Sequence, residues 1–475
     1  MEAVNLDMNS RFKQYREEYP VFFYDGFKLA AKEGFIQIRF DFTIDGLCEF
    51  HPEIKIATGN LRLLNAFASA EARDIVFALG MTEAVSYWKC VCPPRVVVRC
   101  GVLSEQDKLW WKKLWYNGLA ELFYMNGIET DFETFVEIEN DFTPAAEAGI
   151  DSGVKTGSFN SSGLNIIPVG GGKDSIVTLE LLRELSDKNL CFTMNDQLAR
   201  TESALLAGYK EESIIKTFRT IDNELLQRNA EGFLNGHTPL SAIIAFLSLY
   251  CAYIVGAENV VLSNESSANE VNISGTEINH QYSKSYEFEN DFRDYVKRNF
   301  GSGINYFSLL RAFNELQIAK QFAAFKEYLP VFRSCNAGSK KNVWCCKCAK
   351  CLYVYIIISP YFERDKMMEA FGCDMLAKQE LQKDFDGLVG FSNEKPFECI
   401  GTVEEVCCAL EMTAKRYIAN GIELPFLLKN YMKNQKNDYG RNQAELLSEF
   451  NEENNIPEKF KKYVMEMYRY VSRTD

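Results

Sequence analysis

The sequence predicts an α/β protein: a parallel-sheet core with helices on both faces, preceded by an α+β region and followed by a helical tail. Three observations predict this class. From residue 164 to about 375, short apolar runs of strand length alternate with segments of helical period. A run of three glycines stands at one strand-to-helix junction in that region. The chain beyond about residue 376 is charged and helix-forming, broken at "DFDGLVG", "NGIELP" and "NNIPEKF". These signals divide the chain into an amino-terminal α+β domain (1–145), a linker (146–163), a core domain (164–375) and a helical carboxy-terminal region (376–475). No repeat period is visible.

In the first region, "FIQIRFDFTI" alternates apolar and polar residues as a half-buried strand does. "SEQDKLWWKKLWYNGLAELFYMNG" starts a helix at a Ser104 cap and sets Trp110 with Leu114, and Trp111 with Trp115, at helical spacing, so the tryptophans are packing residues. Residues 143 to 163 are rich in Gly and Ser and poor in large apolar groups, which marks the linker.

The core region begins with "NIIPVGGGKDS", residues 165 to 175. Ile166, Ile167 and Val169 form a buried strand, and Ile176, Leu179, Leu182 and Leu185 recur at helical spacing. The unit is strand, tight loop, helix. Glycines at such a junction let the backbone approach a ligand and direct amide N–H groups from a helix start toward an anion. Further on come the strand "LCFTMN", the helix "PLSAIIAFLSLYCAYIV" and the strand "NVVLSN". Gly256, Glu258 and Asn259 end that apolar helix, so it is a buried core helix rather than a membrane span. Ligands of parallel sheets bind beyond the carboxyl ends of the strands.

Composition limits the function classes. The formal net charge of -14 argues against broad contact with nucleic acid or an anionic membrane, because phosphate contacts need concentrated Lys and Arg. An anionic substrate then requires a local basic pocket. The amino terminus lacks the apolar core of a signal peptide. Fifteen cysteines without an export signal point to reduced thiols or a metal site in the cytoplasm.

Two familiar phosphate loops fail at residues 170–175. The Walker pattern needs Ser or Thr after its Lys, but Asp174 follows Lys173; the dinucleotide fingerprint needs Gly where Ser175 stands. Gly-Gly-Gly-Lys-Asp-Ser resembles instead the pyrophosphate loop of the N-type ATP pyrophosphatases, with Gly170 in place of the usual Ser. The resemblance implies an adenine nucleotide α-hydrolase-like core that binds the β,γ-pyrophosphate of ATP and releases an adenylate and pyrophosphate. It assigns close backbone approach to Gly171 and Gly172, a hydroxyl contact to Ser175, and a contact through Mg2+ to Asp174. Lys173 is counted with Gly170 to Ser175 as a nucleotide-binding residue of this loop, with a merely solvated side chain as the plainer reading.

Four cysteines in "SCNAGSKKNVWCCKCAKC" carry metal-ligand spacing. Cys345, Cys348 and Cys351 form C-x2-C-x2-C, and Cys335 can close a tetrahedron, leaving Cys346 as the spare. Four thiolates imply a closed structural zinc; an iron–sulfur cluster and free thiols are the competing readings. The segment resembles the zinc segment of the 7-cyano-7-deazaguanine synthases. "LSNESSANE" crowds Asn264, Glu265, Ser266, Asn269 and Glu270 at the end of a predicted strand, where an Asx-rich turn is the plainer reading. "NGHTPLSA" sets His237 before a proline-started helix; the other histidines are His51 and His280.

Taken in order, "GMTEAVSYWK", "GLAELFYMNG", "GGGKDS", "NGHTPLSA", "LSNESSANE" and "SCN…WCCKCAKC" resemble the bacterial UDP-N-acetylmuramoyl-L-alanyl-L-glutamate epimerases over residues 35 to 360. That resemblance implies ATP- and magnesium-dependent inversion of the terminal glutamate of a UDP-muramoyl dipeptide, a peptidoglycan precursor, with release of AMP and pyrophosphate. Removing an α-proton beside a carboxylate would build a second negative charge on one small unit. An acyl-adenylate carries no carboxylate charge, so adenylation acidifies the carbon. Inversion needs two acid–base groups or one mobile group. Asp174, Glu265, Glu270, His237 and His280 are the candidates for the catalytic work. Two rivals share these residues: an adenylating amide, nitrile or thiol-forming ligase, and a non-catalytic nucleotide-binding regulator. The acidic charge disfavours a tRNA-thiolating enzyme.

Overall fold

The structure, a computed structural model, describes residues 7–59, 67–142, 159–195, 197–273, 275–276, 278–434 and 442–473. The greater part of the predicted linker, residues 146–158, lies outside the described residues. The architecture is mixed α/β. The described strands are β1 (Val21–Lys32), β2 (Phe35–Ile44), β3 (Cys48–Phe50), β4 (Glu53–Ala57), β5 (Arg95–Val98), β6 (Glu137–Asn140), β7 (Asn165–Pro168), β8 (Asn189–Met194), β9 (Ile214–Thr220), β10 (Asn259–Leu262) and β11 (Asn305–Ser308). The chain forms two compact units, and the division passes through β7, β10 and β11.

The first unit comprises Met1–Ile166, Ile215–Val260 and Glu287–Tyr306. Its strands run in the order β9-β4-β2-β1-β5-β6, with β3 on β2. β2 pairs antiparallel with both β1 and β4, while β5 pairs parallel with β1 and β6. β2 buries every second residue, Ile36 to Ile44, as its alternating sequence predicts. The Glu105–Gly118 helix is capped by Ser104, whose side chain accepts from the Asp107 N–H, and Trp111 and Trp115 are fully buried. The apolar helix spans Leu240–Val255, buries most of its side chains and packs on the Ala70–Trp88 helix. Gly256 ends it at φ 71°, a left-handed conformation that glycine adopts without a Cβ penalty. Among the described residues no helix is long and apolar enough to cross a membrane.

The second unit comprises Ile167–Ile214, Val261–Tyr286 and Phe307–Asp475. At the carboxyl ends of its strands, the Val169 N–H donates to Phe192 O at 2.8 Å and the Leu309 N–H to Leu262 O at 2.9 Å, tying β7 to β8 and β11 to β10. The helix after β7 is Lys173–Leu181, where the strand–loop–helix reading placed it. One continuous core joins Ile167, Ile176 and Leu179 to the Glu315–Phe322 and Ala349–Ile358 helices and onward to residues of the tail, among them Val406, Leu410, Leu427 and Met467. Capping boxes fix helix starts here, two of them Asn314 with Gln317 and Thr402 with Glu405. The second opens the Val403–Ala419 helix, whose first turn reaches the site described next.

Candidate active site

The glycine loop and the carboxylate cluster lie in the second unit. The glycine loop follows β7, and Gly172 is the cap residue of the Lys173–Leu181 helix without a capping side chain. The first-turn N–H groups of such a helix favour an anion. Gly171 has φ +81°, and a Cβ there would stand 3.2 Å from the backbone of Ala199 and Arg200, so glycine is required on both counts. Gly172 meets Ser334, whereas a Cβ on Gly170 would meet nothing within 4 Å. The Ser175 hydroxyl donates to Gly172 O at 3.0 Å, inside the loop.

Lys173 departs from expectation. It is 4% exposed and its ammonium group pairs with Asp174 Oδ1 at 2.5 Å and with Glu315. The Glu315 carboxylate meets the lysine ammonium group in the interior, so the side chain is buried and paired rather than solvated. Burial alone would pull the Lys173 pKa down, but Asp174, Glu315 and Glu265 together hold it above its usual value.

Carboxylate oxygens of Asp174, Glu265 and Glu315 lie within 4.8 Å of one another. Glu265 follows β10 and Glu315 opens the Glu315–Phe322 helix, so three successive chain segments deliver the three groups. Burial pushes Glu315 up to about 7; Lys173 opposes the shift, and Asp174 and Glu265 reinforce it. Glu265 is raised by burial and by Asp174, against Lys284 and Lys173. Arg311 donates to the Glu265 and Lys284 carbonyl oxygens, both at 2.6 Å, and so ties their two segments together. Hard oxygen donors crowded in this way suit Mg2+.

The tail braces the cluster. Glu405 Oε1 accepts the Glu315 N–H at 2.7 Å and the Ser267 hydroxyl at 2.6 Å, while Oε2 accepts the Thr402 N–H. Burial and the neighbouring Glu315 raise its pKa. A Cβ on Gly401 would stand 2.5 Å from Glu405 Oε2 and 2.7 Å from the Tyr353 hydroxyl, so this close packing needs glycine. Glu315, Lys284, Tyr353 and Glu405 were not among the residues the sequence singled out. Their only local signal is the pair of capping boxes.

Glu270 pairs with Lys395. His237 belongs to the first unit, with Nδ1 3.6 Å from Glu121 Oε2. His280 is in the second unit, with its backbone N–H on Asn272 Oδ1 at 2.8 Å.

The sulfur atoms of Cys335, Cys345, Cys348 and Cys351 also lie within 4.8 Å of one another. Cys345 Sγ is 3.4 Å from Cys348 Sγ and 3.7 Å from Cys351 Sγ. A tetrahedron with Zn–S of about 2.3 Å has edges of about 3.8 Å, so the spacing fits zinc. Backbone N–H groups of Gly338 and Cys345 point at Cys335 Sγ, the kind of outer bond that supports a thiolate ligand. Cys346, at φ 54°, turns its thiol instead to Phe371 O at 3.1 Å.

Comparison with known proteins places these features in a family. The MurL N-terminal domain matches residues 13–309 and the MurL C-terminal domain residues 331–440, so the likeness reaches further into the tail than the motifs over 35–360 indicated. The chain is 35% identical over 348 residues to a UDP-N-acetyl-alpha-D-muramoyl-L-alanyl-L-glutamate epimerase of Micromonospora sp., covering 71% of this chain and 74% of that protein. It is 31% identical over 361 residues to the protein of the same name from Xanthomonas oryzae pv. oryzae (74% and 76%), and 34% identical over 344 residues to that from Salinispora tropica (71% and 72%). No solved structure matches the chain. The chain therefore belongs to the UDP-N-acetyl-alpha-D-muramoyl-L-alanyl-L-glutamate epimerase (MurL) family.

Proposed function

We propose that this protein inverts the terminal L-glutamate of UDP-N-acetylmuramoyl-L-alanyl-L-glutamate, a step in peptidoglycan precursor synthesis, after activating its α-carboxylate with ATP. Family membership supports the substrate. The observation that carries the nucleotide chemistry is the uncapped helix start at Gly172 beside the buried Lys173, Asp174, Glu265 and Glu315.

In this reading the loop amides of residues 170–173 and the Lys173–Leu181 helix start hold the β,γ-pyrophosphate, as in a pyrophosphate-loop ATP pyrophosphatase. Asp174, Glu265 and Glu315 hold magnesium, which when bound neutralises phosphate charge. Lys173 keeps the carboxylates from repelling one another. The glutamate carboxylate attacks the α-phosphorus and pyrophosphate leaves. The α-hydrogen of the acyl-adenylate is removed and returned on the opposite face, and water releases AMP. Cys335, Cys345, Cys348 and Cys351 hold a structural zinc. None of the fifteen cysteines is in a disulfide, which fits a reducing cytoplasm.

The test is to incubate the protein with ATP, magnesium and the L-glutamyl precursor in deuterated water. D-glutamate carrying α-deuterium, with AMP and pyrophosphate, is the expected result. ADP and orthophosphate as sole products, or turnover only with ammonia, would overturn the reading.

A further inference from the structure

Three segments of the first unit that take no part in the glycine-loop chemistry, "GMTEAVSYWK", "GLAELFYMNG" and "NGHTPLSA", meet around one buried lysine. Lys89 is the cap residue that ends the Ala70–Trp88 helix and is 7% exposed. Its Nζ donates to Asn235 Oδ1 at 3.1 Å and to the Gly236 carbonyl oxygen. The Leu234 N–H donates to Cys90 O at 3.1 Å, which holds the 234–236 loop against the end of that helix. Glycines let the segments close up: a Cβ on Gly236 would stand 3.1 Å from Leu122 Cδ1, and one on Gly118 would stand 2.7 Å from Pro239 Cγ. His237 Nδ1 lies 3.6 Å from Glu121 Oε2 in the same place.

These bonds do not neutralise the charge of Lys89. Arg219, the neighbouring cation, donates to both carboxylate oxygens of the fully buried Glu83 at 2.8 and 3.0 Å and to Ser86 Oγ at 3.0 Å. Lys89 has only neutral acceptors, and among the described residues no carboxylate forms an ion pair with it. An ammonium group carries three N–H donors, of which two are used here. Burial and Arg219 pull the Lys89 pKa down to about 8, against Cys92, Cys90 and Glu121, so at pH 7 the group is mostly charged without a bonded counter-ion. Buried charges are ordinarily paired. Asn235 and Gly236 are exposed, so the ammonium group lies directly beneath a loop that faces solvent.

We propose that Lys89 is an oxyanion anchor in the first unit, its third N–H and its charge holding an anionic oxygen of the UDP-muramoyl dipeptide. This rests on the substrate reading above. Two groups of that substrate offer the same chemistry: the diphosphate, and the glutamate γ-carboxylate, which activation of the α-carboxylate leaves ionised. Either accepts a charge-assisted hydrogen bond from an ammonium group. The bound oxyanion supplies the missing counter-charge and so draws a proton onto the amine.

Calorimetric titration of the full chain with UDP-N-acetylmuramoyl-L-alanyl-L-glutamate at pH 8, in two buffers of different ionisation enthalpy, tests the proposal. The wild-type protein should take up about half a proton per ligand, because the Lys89 amine is about half protonated at that pH. Lys89→Met should bind the precursor on the order of 10-fold more weakly and lose the uptake. Parallel titrations with UDP and with L-alanyl-L-glutamate identify the oxygen, since the ligand whose affinity falls in the variant supplies it. Precursor binding without proton uptake in the wild-type protein overturns the proposal whether or not the variant folds. Unchanged affinity or retained uptake in Lys89→Met does the same. Absence of precursor binding by the wild-type protein would instead overturn the substrate reading.

Discussion

Lys173 and Glu315, 142 positions apart in sequence, meet as a buried ion pair at the foot of the glycine loop. Neither partner can be removed without leaving the other charge in a poorly solvated place. Lys173→Met should therefore destabilise the protein by about 3–5 kcal/mol, more than replacing an exposed lysine would. Urea unfolding of the variant, with an exposed-lysine variant such as Lys32→Met as control, measures it.

The same pair gives a pH dependence. Glu315 has its pKa raised from 4.5 to about 7, so the folded state binds its proton more tightly than the unfolded state does. That contribution to stability is complete below about pH 4.5 and is lost as pH rises through about 7. Measured against Glu315→Gln, wild-type stability should decline by a few kcal/mol over that window. A rise over the same range would contradict the assigned protonation.

Asp174 is only about a third exposed, yet its carboxylate closes both the lysine pair and the proposed magnesium set. Asp174→Ala should abolish pyrophosphate release while leaving a cooperative unfolding transition. Retained release in the variant would remove Asp174 from the nucleotide chemistry.

Glycine substitutions separate steric need from chemistry. Gly171→Ala faces the backbone of Ala199 and Arg200 from a left-handed conformation and should cost about 1–3 kcal/mol of stability. Gly170→Ser enters open space and should fold normally. Its added hydroxyl should lower the KM for ATP a few-fold, the value of one hydrogen bond of about 0.5–1.5 kcal/mol. Thermal melts and steady-state kinetics check both.

The cysteine site predicts one zinc per chain. Elemental analysis should find it in the purified protein and lose it in Cys348→Ser, with a lower melting temperature, because structural zinc stabilises the fold directly. Less than about half an equivalent would contradict a four-thiolate site.

Much of this was readable from local sequence. Alternation specified β2, the strand, glycines and helical period specified the loop at 165–181, and cysteine spacing specified four sulfurs that lie within 4.8 Å of one another. The burial of Lys173 was not readable, because it depends on a carboxylate supplied by a distant helix. Glu405 was invisible for the same reason. "GTVEE" advertises a capping box, and nothing in five residues says which carboxyl cluster that helix start will brace. The motif resemblance, confined to residues 35–360, also stopped short of this segment, although the family match continues to residue 440.

The bond from the Glu315 N–H to Glu405 spans 90 positions, and that from Ser267 to Glu405 spans 138. A chain emerging from the ribosome exposes its glycine loop long before the residues that lock the neighbouring carboxylates into register. The nascent polypeptide thus passes most of its synthesis without a finished centre. Competence for the proposed nucleotide chemistry then arrives only near the end of translation, when the last third folds back onto what was made first.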